Sequence, residues 1–241
     1  MKGLIFVKKL ISGLLALTIA ASGSAMVASA GGGVSGDWRN VDSDTSSITL
    51  KWNAVSGADG YRVYRWDKKD DKYVTVKTVA GKKTFLKITG LKAGSTYKYV
   101  VKPYHYTSTS HTVFGSKSSA VIASTKPAAT KVNSKTRSSA KAVRVFWNKY
   151  GFTNNVDKQS NYKYGGYHVF VYDNKADEWD LVACVSGGRT NVRISGFKKN
   201  TKYSFKVKPF TMSGYNGDKY ENEGDDSNVY TIKTKNYWCN C

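Results

Sequence analysis

The chain repeats itself. Leu91 through Tyr104 (Leu-Lys-Ala-Gly-Ser-Thr-Tyr-Lys-Tyr-Val-Val-Lys-Pro-Tyr) aligns without a gap on Phe197 through Phe210 (Phe-Lys-Lys-Asn-Thr-Lys-Tyr-Ser-Phe-Lys-Val-Lys-Pro-Phe). Upstream, Trp52-Asn53 and Gly60-Tyr61-Arg62-Val63 match Trp147-Asn148 and Gly166-Tyr167-His168-Val169; downstream, Thr125-Lys126 matches Thr234-Lys235. A repeat this long is a whole folding unit. Two units of roughly 100 residues each can bury separate cores without covalent staples. Inside each copy the apolar residues alternate, as Ile48, Leu50, Trp52 and Tyr97, Tyr99, Val101 do, which is the two-residue period of half-buried strands. Turn signals at Ser56-Gly57, Asp59-Gly60, Gly81 and Gly94 separate those strands. The pattern predicts an all-β chain of two tandem immunoglobulin-like β-sandwiches.

Residues 1–30 stand apart from this pattern. Lys2, Lys8 and Lys9 precede the apolar run Leu10 to Ala21, and Ala28-Ser29-Ala30 follows it, as in a secretory signal peptide. The run is diluted by Ser12 and Gly13 and falls short of the roughly 20 residues a membrane span needs. A secreted, extracellular chain with no membrane span is expected. The predicted organisation is a signal peptide at 1–30, a flexible segment at 31–40, a first domain at 41–126, a second at 127–235, and a tail at 236–241. Pro127 with Ala128 and Ala129 marks the junction, and so short a linker predicts a semi-rigid rod. Cys184, Cys239 and Cys241 are too few for a disulfide framework.

A Trp in the second strand (Trp52, Trp147), a Gly-Tyr-x-Val third strand, and a step from Leu91 to Tyr97 or Phe197 to Tyr203 resemble the fibronectin type III family, in the form common in exported bacterial proteins. The resemblance implies that Tyr97 and Tyr203 are tyrosine corners, whose hydroxyls bond back to the chain. Alternation places Trp52 and Trp147 in the cores, so these four residues form the expected structural set. The second copy departs from the pattern by eleven extra residues between Trp147 and Gly166. That segment, Lys149 to Gly165, is polar, aromatic and glycine-rich, and reads as an exposed loop.

Thirty-eight basic residues against seventeen acidic ones give a net charge of +21, or +18 without the three signal lysines. Such a balance concentrates anionic polymers around the chain. If Tyr97, Tyr99 and Val101 point inward, Lys98, Lys102 and Tyr104 point outward beside Arg62, Tyr64 and Trp66. The second copy presents His168, Phe170 and Tyr172 with Lys206, Lys208 and Phe210 in the same way. These twelve are the candidate ligand-binding residues, because rings stack on sugars and cations hold carboxylates, sulfates or phosphates. In the competing reading the outward rings only cover the sheet or pack against the neighbouring domain.

Gly-x-Ser-x-Gly and His-Glu-x-x-His are absent, so no catalytic residue, cofactor or metal is assigned. Cys184 and His168 are expected in opposite sheets, with Cys184 an inert buried thiol. Asp218, Glu221, Glu223, Asp225 and Asp226 match no calcium loop and read as a solvated acidic segment. Related modules present Arg-Gly-Asp in this region, where the chain has Asn216-Gly217-Asp218. The terminal Cys-x-Cys is either an unordered end or the source of an intermolecular disulfide through Cys239 or Cys241. The expected partners are an anionic polysaccharide or cell-wall polymer, or a surface protein, and no specific nucleic acid. The expected function is non-catalytic adhesion to such a polymer, with charge holding the chain at the cell surface; a structural spacer or adaptor is the alternative. A specific partner is expected on the second copy, which carries the long loop, the acidic segment and the cysteine tail.

Overall fold

The computed structural model describes residues 34–36, 42–107, 111–156, 165–215 and 218–236. The expected signal peptide, Asn216, Gly217, Cys239 and Cys241 lie outside the described residues. In the first unit the strands are β1 (Asp42–Ser43), β2 (Ile48–Lys51), β3 (Gly60–Asp67), β4 (Lys72–Ala80), β5 (Phe85–Ile88), β6 (Ser95–Tyr106), β7 (Thr112–Phe114) and β8 (Val121–Ser124). Strands β1-β2-β5 form one sheet, and β4-β3-β6-β8 run side by side in the other. The second unit adds β9 (Arg137–Ser138), β10 (Ala142–Phe146), β11 (Thr153–Asn155), β12 (Gly165–Asp173), β13 (Glu178–Ser186), β14 (Asn191–Ser195), β15 (Lys202–Tyr215), β16 (Asp218–Glu223) and β17 (Tyr230–Lys233). Here β14-β10-β9 face the sheet that holds β13, β12 and β15, with β16 and β17 also on β15. No helix long and apolar enough to cross a membrane occurs among the described residues.

Each unit closes over its own apolar cluster. Ile48, Leu50, Trp52, Tyr61, Val63, Tyr99 and Val101 fill the first, and Val143, Val145, Trp147, Tyr167, Val169, Phe205 and Val207 fill the second. Trp52 tilts onto Tyr61 at 5.4 Å and Trp147 onto Tyr167 at 5.2 Å. The hydroxyls of these two tyrosines accept the backbone N–H of Val55 and of Tyr150, each at 2.7 Å, so one residue both fills the core and pins the loop before it. The tyrosine corners form as the resemblance implies: Tyr97 accepts from Lys92 N–H at 3.2 Å and Tyr203 from Lys198 N–H at 2.9 Å. Tyr97 is buried, whereas Tyr203 is half-buried.

The two units also meet edge to edge. The far end of β15 pairs with β8 at Gly214 and Ile122, linking the two larger sheets into one of eleven strands. Buried polar groups close the seam. Ser124 N–H donates to Ser213 Oγ at 3.0 Å, Asn222 Nδ2 to the same Oγ at 2.7 Å, and Thr211 Oγ1 to the Thr125 carbonyl at 2.9 Å. Groups this deep are stable only when bonded, which makes the seam specific to this partner surface.

The described part of the long insertion, residues 149–156, adds to the joint. Instead of an exposed loop, its Thr153–Asn155 is strand β11, added in parallel to Ser95–Tyr97 of β6. Lys68 Nζ donates to the Asn154 carbonyl at 3.2 Å and Tyr150 Oη accepts from Ala128 N–H at 3.1 Å. The ring of Tyr150 lies directly on Gly94, where a Cβ would sit 2.2 Å from Cε1 and where φ is +64°. Glycine is therefore required there twice, by the backbone and by the close approach.

Candidate functional site

In the first domain the β3–β6 register sets Arg62 opposite Lys102 and Tyr64 opposite Val100. Alternation then puts Arg62, Tyr64, Trp66, Lys98 and Lys102 on the face away from the core. The stripe is a ladder of cations on rings. Arg62 stands 4.5 Å from the Phe114 centroid, Lys102 Nζ 5.7 Å from Tyr64, and Lys98 Nζ 5.1 Å from Trp66. Lys98 and Lys117 both approach Tyr73, at 5.9 Å each. Each such contact is worth about 0.5–1 kcal/mol where exposed. Arg62 Nε also donates to Thr78 Oγ1 at 3.1 Å. Among the described residues neither Arg62 nor Lys102 pairs with a carboxylate, because Asp59 accepts the Tyr106 N–H at 2.7 Å and the acid–base pairs lie at Lys51–Asp42, Lys72–Asp70 and Lys87–Asp44.

The second domain builds the same stripe and closes it. Its β12–β15 register sets His168 opposite Lys208 and Phe170 opposite Lys206. Glu223 then bridges the pair, with Oε1 2.9 Å from His168 Nδ1 and Oε2 3.3 Å from Lys208 Nζ. Glu221 stands 3.4 Å from His168 Nε2. Asp226 takes Lys206 at 2.7 Å and Lys208 at 3.5 Å. Lys206 also lies 4.6 Å from the Trp179 centroid and 5.5 Å from that of Phe170. Burial works to raise the Glu223 carboxyl, but the bond to His168 and the charge of Lys208 outweigh it and hold the group below the ordinary carboxylate range. For Lys208, desolvation pulls the other way from its two carboxylate neighbours, and the neighbours win, leaving the ammonium more basic than usual. Three carboxylates of the acidic segment, Glu221, Glu223 and Asp226, stay solvated as expected and also stand against the second stripe.

The two closures can be compared position by position, because the backbone repeats. Gly115 N–H bonds the Pro103 carbonyl at 2.9 Å, and Gly224 N–H bonds that of Pro209 at 2.8 Å. Ser118 and Ser227 bond Val101 and Val207 in the same way, with Oγ accepting at 3.0 and 2.9 Å. Tyr104 faces Phe114, and Phe210 faces Glu223. Phe114 is thus the counterpart of Glu223, and Lys117 the counterpart of Asp226. Where the second domain places two carboxylates, the first places a ring and a lysine.

Three of the twelve candidate residues are not surface contacts. Tyr104 is 3% exposed, Phe210 6% and His168 7%. The cause for the first two is the glycine opposite each. A Cβ on Gly60 would lie 2.5 Å from Tyr104 Oη, and one on Gly166 would lie 2.5 Å from Phe210 Cζ, so both rings lie flat on bare backbone. His168 is roofed by Phe210 at 4.5 Å and by its two glutamates. Tyr64, Trp66, Phe170 and Tyr172 are half-buried, as are Arg62, Lys98, Lys102, Lys206 and Lys208. Tyr172 is held down by its hydroxyl bond to Asp177 and by Trp179.

His168 and Cys184, expected in opposite sheets, are direct cross-strand partners, because β13 turns straight back from β12. The pair is not poised for nucleophilic chemistry. Cys184, expected to be buried, is exposed, and desolvation together with the charge of Glu221 pushes its thiol up, away from thiolate.

The fold is that of two β-sandwich units, an architecture consistent with a binding or structural protein. Residues 38–121 match the family model described as fibronectin type III domain. The first unit is similar to that domain over this span, and the second unit repeats the strand plan. No curated protein matches the chain. Among solved structures, it is similar to a two fibronectin type III domain segment from chicken tenascin, at 15% identity, covering 80% of this chain and 95% of that one with a TM-score of 0.39. It is also similar to the FN1–FN3 domains of chicken CNTN1, at 18% identity, covering 85% of this chain and 67% of that one with a TM-score of 0.37.

Proposed function

We propose that this chain is an exported, non-catalytic binding protein that adheres to an anionic extracellular polysaccharide or wall polymer through the Arg62–Lys102 face of its first domain. One observation carries the reading: two equivalent basic stripes exist, and among the described residues a carboxylate bridges the cross-strand pair of the second, His168 and Lys208, while Arg62 and Lys102 of the first have no carboxylate partner. Two half-buried cations, Arg62 and Lys102, with no carboxylate partner among the described residues gain from any polyanion that supplies one, and the net positive charge of the chain, +18 without the signal lysines, steers such polymers toward them. The rings of the ladder hold the cations in place more than they offer stacking surface, since each already carries one. The edge-to-edge joint supports a second reading, a rigid spacer whose charge merely keeps it near an anionic surface.

Retention on an anionic polysaccharide column near 0.15 M salt separates the two readings, because diffuse attraction is screened there beyond about 8 Å. Arg62→Ala/Lys102→Ala is expected to elute well before wild type, and before a control that removes two exposed cations elsewhere, Lys77→Ala/Lys87→Ala. Equal elution of the two variants would leave only the spacer.

A further inference from the structure

Resting on that anion-binding reading, a finer assignment follows from the internal counterpart. We infer that the first domain holds a carboxylate between Arg62 and Lys102, in the place the second domain fills with Glu223, and that a uronic-acid polysaccharide delivers it, with a sugar ring against Tyr106. In the second domain one carboxylate spans one cross-strand pair, Oε1 on His168 and Oε2 on Lys208. Arg62 and Lys102 occupy the same two positions of the same two strands. The residue that stands where Glu223 stands is Phe114, which offers Arg62 a ring at 4.5 Å and no charge. The residue at the place of Asp226 is Lys117, which reverses the sign. The repeat therefore displays the bound state in one copy and the open state in the other. The group for which the arrangement is already built in this chain is a carboxylate, one oxygen to each cross-strand partner.

The sugar follows from the rings. Tyr64, Trp66, Tyr73 and Phe114 each have a cation over them. Tyr106 has none among the described residues and is 55% exposed, set edge-on to Tyr104 at 5.5 Å and 71°. Its counterpart in the second domain is Met212, so only the first stripe ends in an open ring. Lys102 and Tyr106 lie four residues apart on β6, about 13 Å. A chain of several sugars covers that span, and a single uronate does not.

The test uses the full chain, with oligogalacturonate, dextran sulfate and poly-glutamate as probes in calorimetric titrations. Wild type is expected to prefer oligogalacturonate. Phe114→Glu, which installs the second domain's carboxylate in the first, is expected to weaken that binding at least tenfold, and Tyr106→Ala several-fold. Lys117→Asp, at an exposed position outside the core, repeats the self-neutralising test at the cost of one cation–ring contact with Tyr73, and unfolding curves confirm that each variant is folded. Oligogalacturonate binding unchanged in both Phe114→Glu and Lys117→Asp overturns the carboxylate site. Poly-glutamate bound as tightly as oligogalacturonate, with no effect of Tyr106→Ala, overturns the sugar and assigns the face to an acidic protein. Dextran sulfate bound by wild type with no binding of oligogalacturonate overturns this inference and leaves the anion-binding reading standing; failure of all three probes overturns both.

Discussion

The first domain leans Arg62 on the ring of Phe114, and the second holds His168 with the carboxylate of Glu223, at backbone positions that correspond bond for bond. The frames are the same and the charge on top of them is opposite. Cross-strand register therefore fixes where a cation stands, while a few positions on the last two strands decide whether it is satisfied inside the chain or outside it. In the proposed reading the partner meets the first copy, whereas the sequence predicts the second. The described part of the second copy's insertion, residues 149–156, lies at the joint, three carboxylates of its acidic segment lie on its own His168, Lys206 and Lys208, and the first copy has no such carboxylates on Arg62 and Lys102 among the described residues.

The largest expected effect tests whether the two domains are separate at all. Trp52→Ala removes a ring that is 4% exposed and packed on Tyr61, a change that costs about 3–5 kcal/mol in a core. The first domain is expected to unfold. Because β11 rests on β6 and β15 on β8, the second should also melt at a lower temperature, with faster amide exchange in Thr153–Asn155. Scanning calorimetry and hydrogen exchange check this. An unchanged second transition would mean that the joint binds without coupling.

A smaller effect is expected from Gly94→Ala, which attacks the joint and spares both cores. The left-handed backbone costs an alanine about 1–2 kcal/mol, and its Cβ must also displace the Tyr150 ring from its 2.2 Å approach. The cores should keep their exchange protection while Thr153–Asn155 and Ala128 lose theirs. Loss of protection throughout the first domain would show that Gly94 serves that domain's own turn more than the contact between domains.

The contrast between the domains also marks what the sequence could tell. Trp52, Trp147, the alternation around them and the two corner tyrosines carry their meaning locally, so the sandwiches were legible. The joint was not, since Thr153-Asn154-Asn155 has no apolar alternation and becomes a strand only because β6 offers it backbone partners. The burial of Tyr104 and Phe210 was hidden in a long-range pairing with Gly60 and Gly166. The closure of the second stripe did leave a signal. Gly115-Ser116-Lys117-Ser118 and Gly224-Asp225-Asp226-Ser227 share the Gly-x-x-Ser frame, and extending the repeat through it would have set Lys117 against Asp226 and Phe114 against Glu223.

The smallest effect sharpens the comparison through pH. The Glu223 carboxyl sits below its ordinary value in the folded chain, so its contribution to stability is complete above the unfolded value and is lost as pH falls through the folded one. Its side chain is 43% exposed, and solvent screening keeps the contribution under about 1 kcal/mol. Acid should loosen β16 against β15 in the second domain, while the first stripe, with no carboxylate on Arg62 or Lys102, loses nothing of this kind. A carboxyl-carbon NMR titration reads it directly. The Glu223 midpoint should rise in His168→Phe, which keeps a ring under Phe210 and removes the hydrogen bond, and rise less in Lys208→Met. If neither variant moves the midpoint, Glu223 is not the counter-charge of the second stripe, and the likeness between that carboxylate and a ligand of the first domain goes with it.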